Sequence, residues 1–317
     1  MVFLPKKLAM GTEGIRDRYI NPYTDFGFKK IFGSDMNKDL LISFLNALLD
    51  GKERIENLTY LNVEHLGNAE LDRKAVFDVY CQNDKGEKFL VEMQKGEQEF
   101  FKDRSLFYTT FPIQEQVRRG TWDYSLKAVY TIGILNFVFD ESAKDTYRHQ
   151  VRLVDTDTGE GFYDKLTLIY LEMPKFNKRE EELETMFDKW MFVLRNLSSL
   201  FDRPKALQER VFTRLFEAAE IAKFDRVEYA EYQESLKNFR DLYSVIQTAS
   251  RKGMAEGLAE GMAKGLAEGM AKGLEQGRQE GEKAKAQDIA RRLRASGLMS
   301  SEEIARATGL DMADIPE

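Results

Sequence analysis

Cysteine is almost absent. Cys81 is the only one in 317 residues, so an intramolecular disulfide framework is excluded. Histidine is nearly as scarce, with only His65 and His149, and together the two residue types cannot supply zinc-finger spacing. Any metal bound by this chain must rely mainly on oxygen ligands. Long apolar runs are missing too, and the opening MVFLPKKLAMG has only a short apolar stretch. Neither a membrane span nor a signal-peptide core is expected, which leaves the cytoplasm as the expected compartment. An excess of positive charge is also lacking. Lys and Arg number 47 against 54 Asp and Glu, a net charge of −7. Capture of nucleic acid by a globally positive field is therefore excluded, and such binding needs a local basic patch or divalent cations between carboxylates and phosphates.

What the chain does have is apolar and aromatic content, 43% and 12%, enough for burial to offset conformational entropy over most of its length. The length suggests about two domains. Residues 1–18 show no periodic apolar pattern and read as a mobile tail. From Tyr19, helical spacing links Phe28, Ile31 and Phe32, then Leu40, Leu41, Phe44, Leu45 and Leu48, predicting one or two amphipathic helices. Short β-rich runs follow at 55–61, 75–81, 88–93, 126–139 and 166–171. Residues 99–119 read as a helix with a break at Pro112. Helix, strands, helix, strands and then helix alone predict an α/β or α+β core over 19–175, a mixed sheet flanked by helices. Residues 176–250 read as an all-helical extension packed on that core.

Glycine then falls at every fourth position from Gly253 to Gly281. Each glycine costs a helix about 1 kcal/mol relative to alanine, so 251–285 reads either as a weakly helical linker or as a self-association segment. The second reading rests on the period of four, which on a 3.6-residue helix traces a slowly turning groove for close backbone contact. Residues 286–317 predict a small helical module, with Gly297 ending one helix and Ser300 capping the next.

The stretch that can carry chemistry is LDRKAVFDVYCQNDKGEKFLVEMQ, residues 71–94. Its two β runs flank a polar turn and predict a hairpin. Strand alternation puts Val76, Asp78 and Tyr80 on one face of the first strand and Leu90, Glu92 and Gln94 on one face of the second. Asp78 and Glu92 then lie among hydrophobic residues, where an unpaired charge is costly. A hard divalent cation, which takes one or two carboxylates and keeps several waters, would compensate them; two acids on a solvated face are the plainer alternative.

These residues resemble a known family. Asp78 and Glu92-Met93-Gln94 look like the D…ExQ variant of the PD-(D/E)XK nuclease motif, with Gln94 in place of the usual lysine. Asp25-Phe26-Gly27-Phe28-Lys29-Lys30-Ile31-Phe32 resembles the DxxFKxxF segment of the Rpn-type recombination-promoting nucleases and transposases. Arg104 to Tyr108, with Gln114 or Gln116, Gly120 and Tyr124, resembles a later block of that family. The resemblance implies a restriction-endonuclease-like core and metal-dependent cleavage of DNA phosphodiesters. Asp78 and Glu92 would hold Mg²⁺, or Mn²⁺. Gln94 would help orient water, and Asp25 would be an accessory acid, unless it is only a helix-start residue. Lys74, Lys95, Arg104, Arg118 and Arg119 are candidate phosphate contacts, and Tyr108 would support the site or stack. The rival expectation is an inactive DNA-binding or assembly protein on the same fold. A homo-oligomer is expected in either case, and a membrane partner in neither.

Overall fold

The structure, a computed structural model, describes residues 17–49, 54–61, 64–65, 75–76, 78–117, 123–139 and 145–316. The expected tail lies outside these except for Asp17 and Arg18, and Arg18 is anchored, pairing with Asp202 at 2.6 Å and Glu220 at 3.0 Å. Helix α1 (Asp25–Phe32) starts where the Thr24 hydroxyl accepts the Gly27 amide, and it buries Phe28, Ile31 and Phe32. Helix α2 (Lys38–Leu48) buries Leu40, Leu41, Phe44, Leu45 and Leu48 along one stripe.

Strand β1 (Leu58–Tyr60) is followed by two very short strands, β2 (Glu64–His65) and β3 (Ala75–Val76), which pair with each other. Then comes the expected hairpin of β4 (Val79–Asn83) and β5 (Lys88–Gln94). Its turn forms because the Asn83 side chain accepts the Lys85 and Glu87 amides, while Gly86 takes a φ of +80° that suits glycine. Helix α3 (Phe101–Gln114) crosses over to β6 (Val129–Leu135), and β7 (Arg148–Val154) and β8 (Gly161–Glu172) complete the sheet. The strand order is β1-β4-β5-β6-β8-β7, with β5, β6 and β8 parallel and the other pairs antiparallel. This mixed sheet flanked by helices is the expected α/β architecture.

Three details depart from the sequence reading. Strand β7 was not expected. Helix α3 runs through Pro112 and ends two residues later instead of breaking there. The stretch expected to be helical throughout contains α4 (Met186–Asn196), α5 (Arg210–Ala219) and the start of α6 (Arg226–Ala295), separated by turns.

Alternation gives the sheet two unlike faces. Val79, Cys81, Phe89, Val91, Met93, Ile132, Ile134, Ile169 and Leu171 enter the main core with α1, α2, α4 and α5. Phe32, Phe44, Phe212 and Trp190 pack there with ring centroids 5.1–5.8 Å apart. The start of α6 is tied to the same core, where the Tyr232 hydroxyl accepts the Asn21 amide and the Ser235 hydroxyl accepts the Phe26 amide. The opposite face carries Leu90, Glu92, Thr131, Gly133 and Tyr170, and α3 lies over it with Phe101, Ser105, Thr109 and Pro112 buried.

Residues 245–317 form a second compact unit. The glycine repeat lies within α6 as helix, and a Cβ placed on any glycine from Gly253 to Gly281 would meet nothing within 4 Å. Ala290, Ile304 and Ile315 make a small core with Leu293 and Leu310, and Ser300 caps α7 (Ser301–Thr308) reciprocally with Glu303. Among the described residues beyond Gly309 lies the single turn Met312–Asp314. Among the described residues no helix is long and apolar enough to cross a membrane.

Two glycines should respond oppositely to alanine. A Cβ on Gly133 would lie 3.1 Å from the Tyr170 ring and 3.3 Å from Leu135, so Gly133→Ala is expected to cost about 1–3 kcal/mol by urea denaturation. Gly257→Ala meets open space and should raise the helical circular dichroism signal, stabilising that turn by about 0.5–1 kcal/mol.

Candidate active site

The hairpin brings the predicted acids together. Strand β4 begins at Val79, opposite Val91, so Asp78 stands just before the strand and beside Glu92 on β5. The Met93 amide donates to Asp78 Oδ2 at 2.8 Å, ending the ladder on a carboxylate. Glu92 is only 8% exposed, and its Oε2 accepts from Gln94 Nε2 at 3.0 Å. Among the described residues, the other oxygen of each acid accepts no hydrogen bond.

Burial pushes the Glu92 carboxyl up to about 7. The negative charge of Asp78 adds to the shift, while the Gln94 amide and the Arg104 charge oppose it. Asp78 is also raised, first by burial and then by the charge of Asp25; the Met93 amide, Lys29 and Lys95 act against this. Asp25, Lys29, Lys95 and Arg104 therefore all gather around the acid pair. Lys95 reaches Asp25 directly, Nζ to Oδ1 at 2.6 Å.

Helix α3 supplies the upper side of the site. The Arg104 guanidinium lies 5.5 Å from the Tyr108 ring centroid, and its Nη2 donates to the Tyr108 hydroxyl at 3.3 Å. On the sheet side of the same turns, Ser105 and Tyr170 share a hydrogen bond at 2.5 Å, and Thr109 and Thr131 share one at 2.8 Å. These buried hydroxyl pairs hold α3 on the sheet. Tyr170 belongs to the site's surroundings, since Glu92, Gly133 and Tyr170 lie in register across three strands. Burial raises the Tyr170 hydroxyl first of all, and the Glu92 charge raises it further.

Asp25, expected as an accessory acid, acts on Asp78 through its charge; among the described residues no three Asp, Glu, His or Cys residues group closely enough to share an ion. Lys95 is engaged with Asp25 and is not a free cation. Lys74, Arg118, Arg119 and Gly120 lie outside the described residues. Sequence reasoning missed Ser105, Tyr170 and Gly133, because only the parallel register of β5, β6 and β8 joins them to Glu92. It also missed a second buried acid, Glu172, which accepts from Lys175 at 2.6 Å and the Phe139 amide at 2.7 Å. His149 lies 3.5 Å from Glu172, an ion pair only when the imidazole is protonated.

The donor set fits a hard divalent cation: the buried Glu92 and the half-buried Asp78 stand side by side, each with an oxygen to spare, and burial first, then the Asp78 charge, raises the Glu92 carboxyl to about 7. A mixed sheet with this acid pair on its central hairpin defines an α/β fold of the PD-(D/E)XK type. A family model described as PD-(D/E)XK nuclease family transposase matches residues 22–249, and the chain belongs to that family. The match stops before the first glycine of the repeat, Gly253. No curated protein and no solved structure matches the chain.

The raised Glu92 carboxyl has a consequence for stability. Its ordinary value is 4.5, so between about pH 4.5 and 7 the folded protein keeps a proton that the unfolded chain has lost. Stability of the metal-free protein should therefore fall as pH rises through that window, by roughly 3 kcal/mol from this group. Glu92→Gln removes the charge permanently. In EDTA its urea midpoint should exceed that of the native protein at pH 8 and differ little at pH 5; parallel pH dependences would contradict the burial argument.

Proposed function

We propose that this protein hydrolyses DNA phosphodiester bonds with a divalent metal ion, using Asp78 and Glu92 to hold Mg²⁺ or Mn²⁺. The observation that carries the reading is the pair itself, a buried Glu92 beside a half-buried Asp78, both carboxyls raised chiefly by burial and that of Glu92 further by the Asp78 charge, which a bound cation would offset. The bound cation supplies polarisation of the scissile phosphate and activation of an attacking water. The chain's own residues do the remainder. The Met93 amide fixes Asp78, and the Gln94 amide fixes Glu92 and aligns water beside it. Gln94 is neutral and cannot offset charge developing on the phosphate, so this falls to Arg104, which is always charged and already acts electrostatically on Glu92. Tyr108 holds the guanidinium in place. Asp25 acts at a distance, by keeping Lys95 close to Asp78. Lys74, Arg118 and Arg119, outside the described residues, are proposed from the sequence alone as further phosphate contacts. Recombination, movement of DNA segments and defence against foreign DNA all use such chemistry, in a cytoplasmic setting.

A second part of the reading concerns assembly. Met254, Leu258, Met262, Leu266, Met270 and Leu274 form an exposed apolar row at four-residue spacing beside the glycines of α6. Such a row favours a second copy of the same helix, and a homo-oligomer would suit an enzyme that cuts both strands.

Two experiments test these points. Supercoiled plasmid incubated with the protein and Mg²⁺ should be nicked or linearised, EDTA should stop the reaction, and Asp78→Ala should lower the rate by about 10²-fold or more; an intact plasmid with folded native protein would favour the inactive assembly reading. Sedimentation velocity should show an oligomer that becomes monomeric in the double variant Leu258→Glu, Leu266→Glu. An unchanged distribution would remove the self-association proposal.

A further inference from the structure

Helix α3 is apolar well beyond the stripe it buries. Phe101, Ser105, Thr109 and Pro112 face the sheet, yet Phe100 is 67% exposed and Phe107 50% exposed. At 100° per residue, Arg104, Phe107, Tyr108 and Phe111 fall on one flank of the helix, Tyr108 and Phe111 partly buried against Tyr80, Leu90 and Val129, while Leu106, 53% exposed, falls on the other. The rings are close-set: Phe107 to Phe111 is 5.3 Å edge-on, and Phe107 to Tyr108 is 6.1 Å. Arg104 sits among them, over Tyr108 and electrostatically coupled to Glu92. Arg104 is thus the link between the aromatic flank, through Tyr108, and the charge of Glu92. Phe100, at the helix start, is held exposed with a left-handed backbone, φ 57°.

Charge argues for what this surface meets. The chain carries −7 overall, and residues 95–119 have five basic against four acidic residues, so backbone attraction alone is a weak means of holding a nucleic acid here. Stacking of unpaired bases on aromatic rings, with a guanidinium interleaved, supplies affinity without a basic field. An intact duplex hides its base faces and gains nothing from such rings. A second copy of this chain is the weaker occupant, because the guanidinium interrupts the apolar flank and the α6 row already offers a self-association surface. We propose that Phe100 and Phe107, the exposed rings of α3 beside Arg104, form a stacking platform for a single-stranded or locally unpaired nucleic acid, whose backbone then passes the Asp78–Glu92 pair. This deepens the nuclease reading and rests on it for the path of the backbone.

The test is fluorescence anisotropy with full-length protein in EDTA, using labelled oligo(dT), oligo(rU) and duplex DNA of about 20 nucleotides or base pairs. Native protein should bind the single strands more tightly than the duplex and with shallow salt dependence. Phe107→Ala should weaken single-strand binding about tenfold and duplex binding by less than about twofold. Leu106→Ala, the equally exposed control on the other flank, should change neither, and Phe107→Trp should retain binding. Loss on oligo(dT) assigns DNA as the strand, and loss on oligo(rU) alone assigns RNA; both support the platform. Equal loss on duplex and single strand, or no loss at all, would overturn it. So would a Phe107→Ala protein that binds normally but changes its sedimentation, which would identify the occupant as a second copy. Binding in EDTA does not need cleavage. If Mg²⁺-dependent cleavage fails while Phe107→Ala still selectively loses single strands, the nuclease reading alone falls; if cleavage proceeds and Phe107→Ala binds normally, the platform alone falls.

Discussion

A buried carboxyl, Glu92, beside a half-buried one, Asp78, is the constraint around which this site is arranged. Burial opposes the ionised form of each, and each opposes ionisation of the other, so Glu92 holds its proton up to about pH 7. Only a well-determined scaffold can keep such a pair in place. Here the scaffold is the β4–β5 hairpin, with the Met93 and Gln94 amides each donating to one acid and Arg104 acting on Glu92 from the helix above. An apolar pair at the same positions would cost far less, which is why the arrangement points to a ligand that rewards two negative charges.

The face of the sheet that carries the acids is unlike the other. Beneath α1, α2, α4 and α5 the strands present an aliphatic and aromatic core of ordinary kind. Beneath α3 two smaller apolar clusters, around Leu90 and around Leu168, are joined by hydroxyls and a glycine. Ser105 with Tyr170 and Thr109 with Thr131 fix the helix by direction-specific bonds, and Gly133 lets the Tyr170 ring lie close to its strand. Apolar packing alone allows a helix to slide or rotate by small amounts; paired hydroxyls four residues apart do not. The effect of the Arg104 charge on Glu92 depends on that restraint.

Much of this was legible in the sequence. Period-two alternation placed Asp78 with Tyr80 and Glu92 with Leu90, and the register Tyr80 to Leu90 bears that alternation out. The stripes of α1 and α2, the turn at Gly86 and the cap at Ser300 carried their own local signals. What escaped was non-local. Strand β7, RHQVRLV, is an edge strand exposed over most of its length, so it lacks the apolar density that marks its neighbours. Pro112 lies in the last turn of α3, where little helix remains to be broken. The turns between α4, α5 and α6 were hidden because the apolar stripes continue across them. Ser105 and Tyr170 are 65 residues apart, and no local pattern could join them.

The central claim is that Asp78 and Glu92 are a cation site. Anomalous diffraction from crystals grown with Mn²⁺ addresses it most directly. The account predicts a strong peak within about 2.5 Å of oxygens from both carboxylates, lost in Glu92→Gln crystals. A peak elsewhere, or none at saturating Mn²⁺ with the hairpin intact, would contradict it.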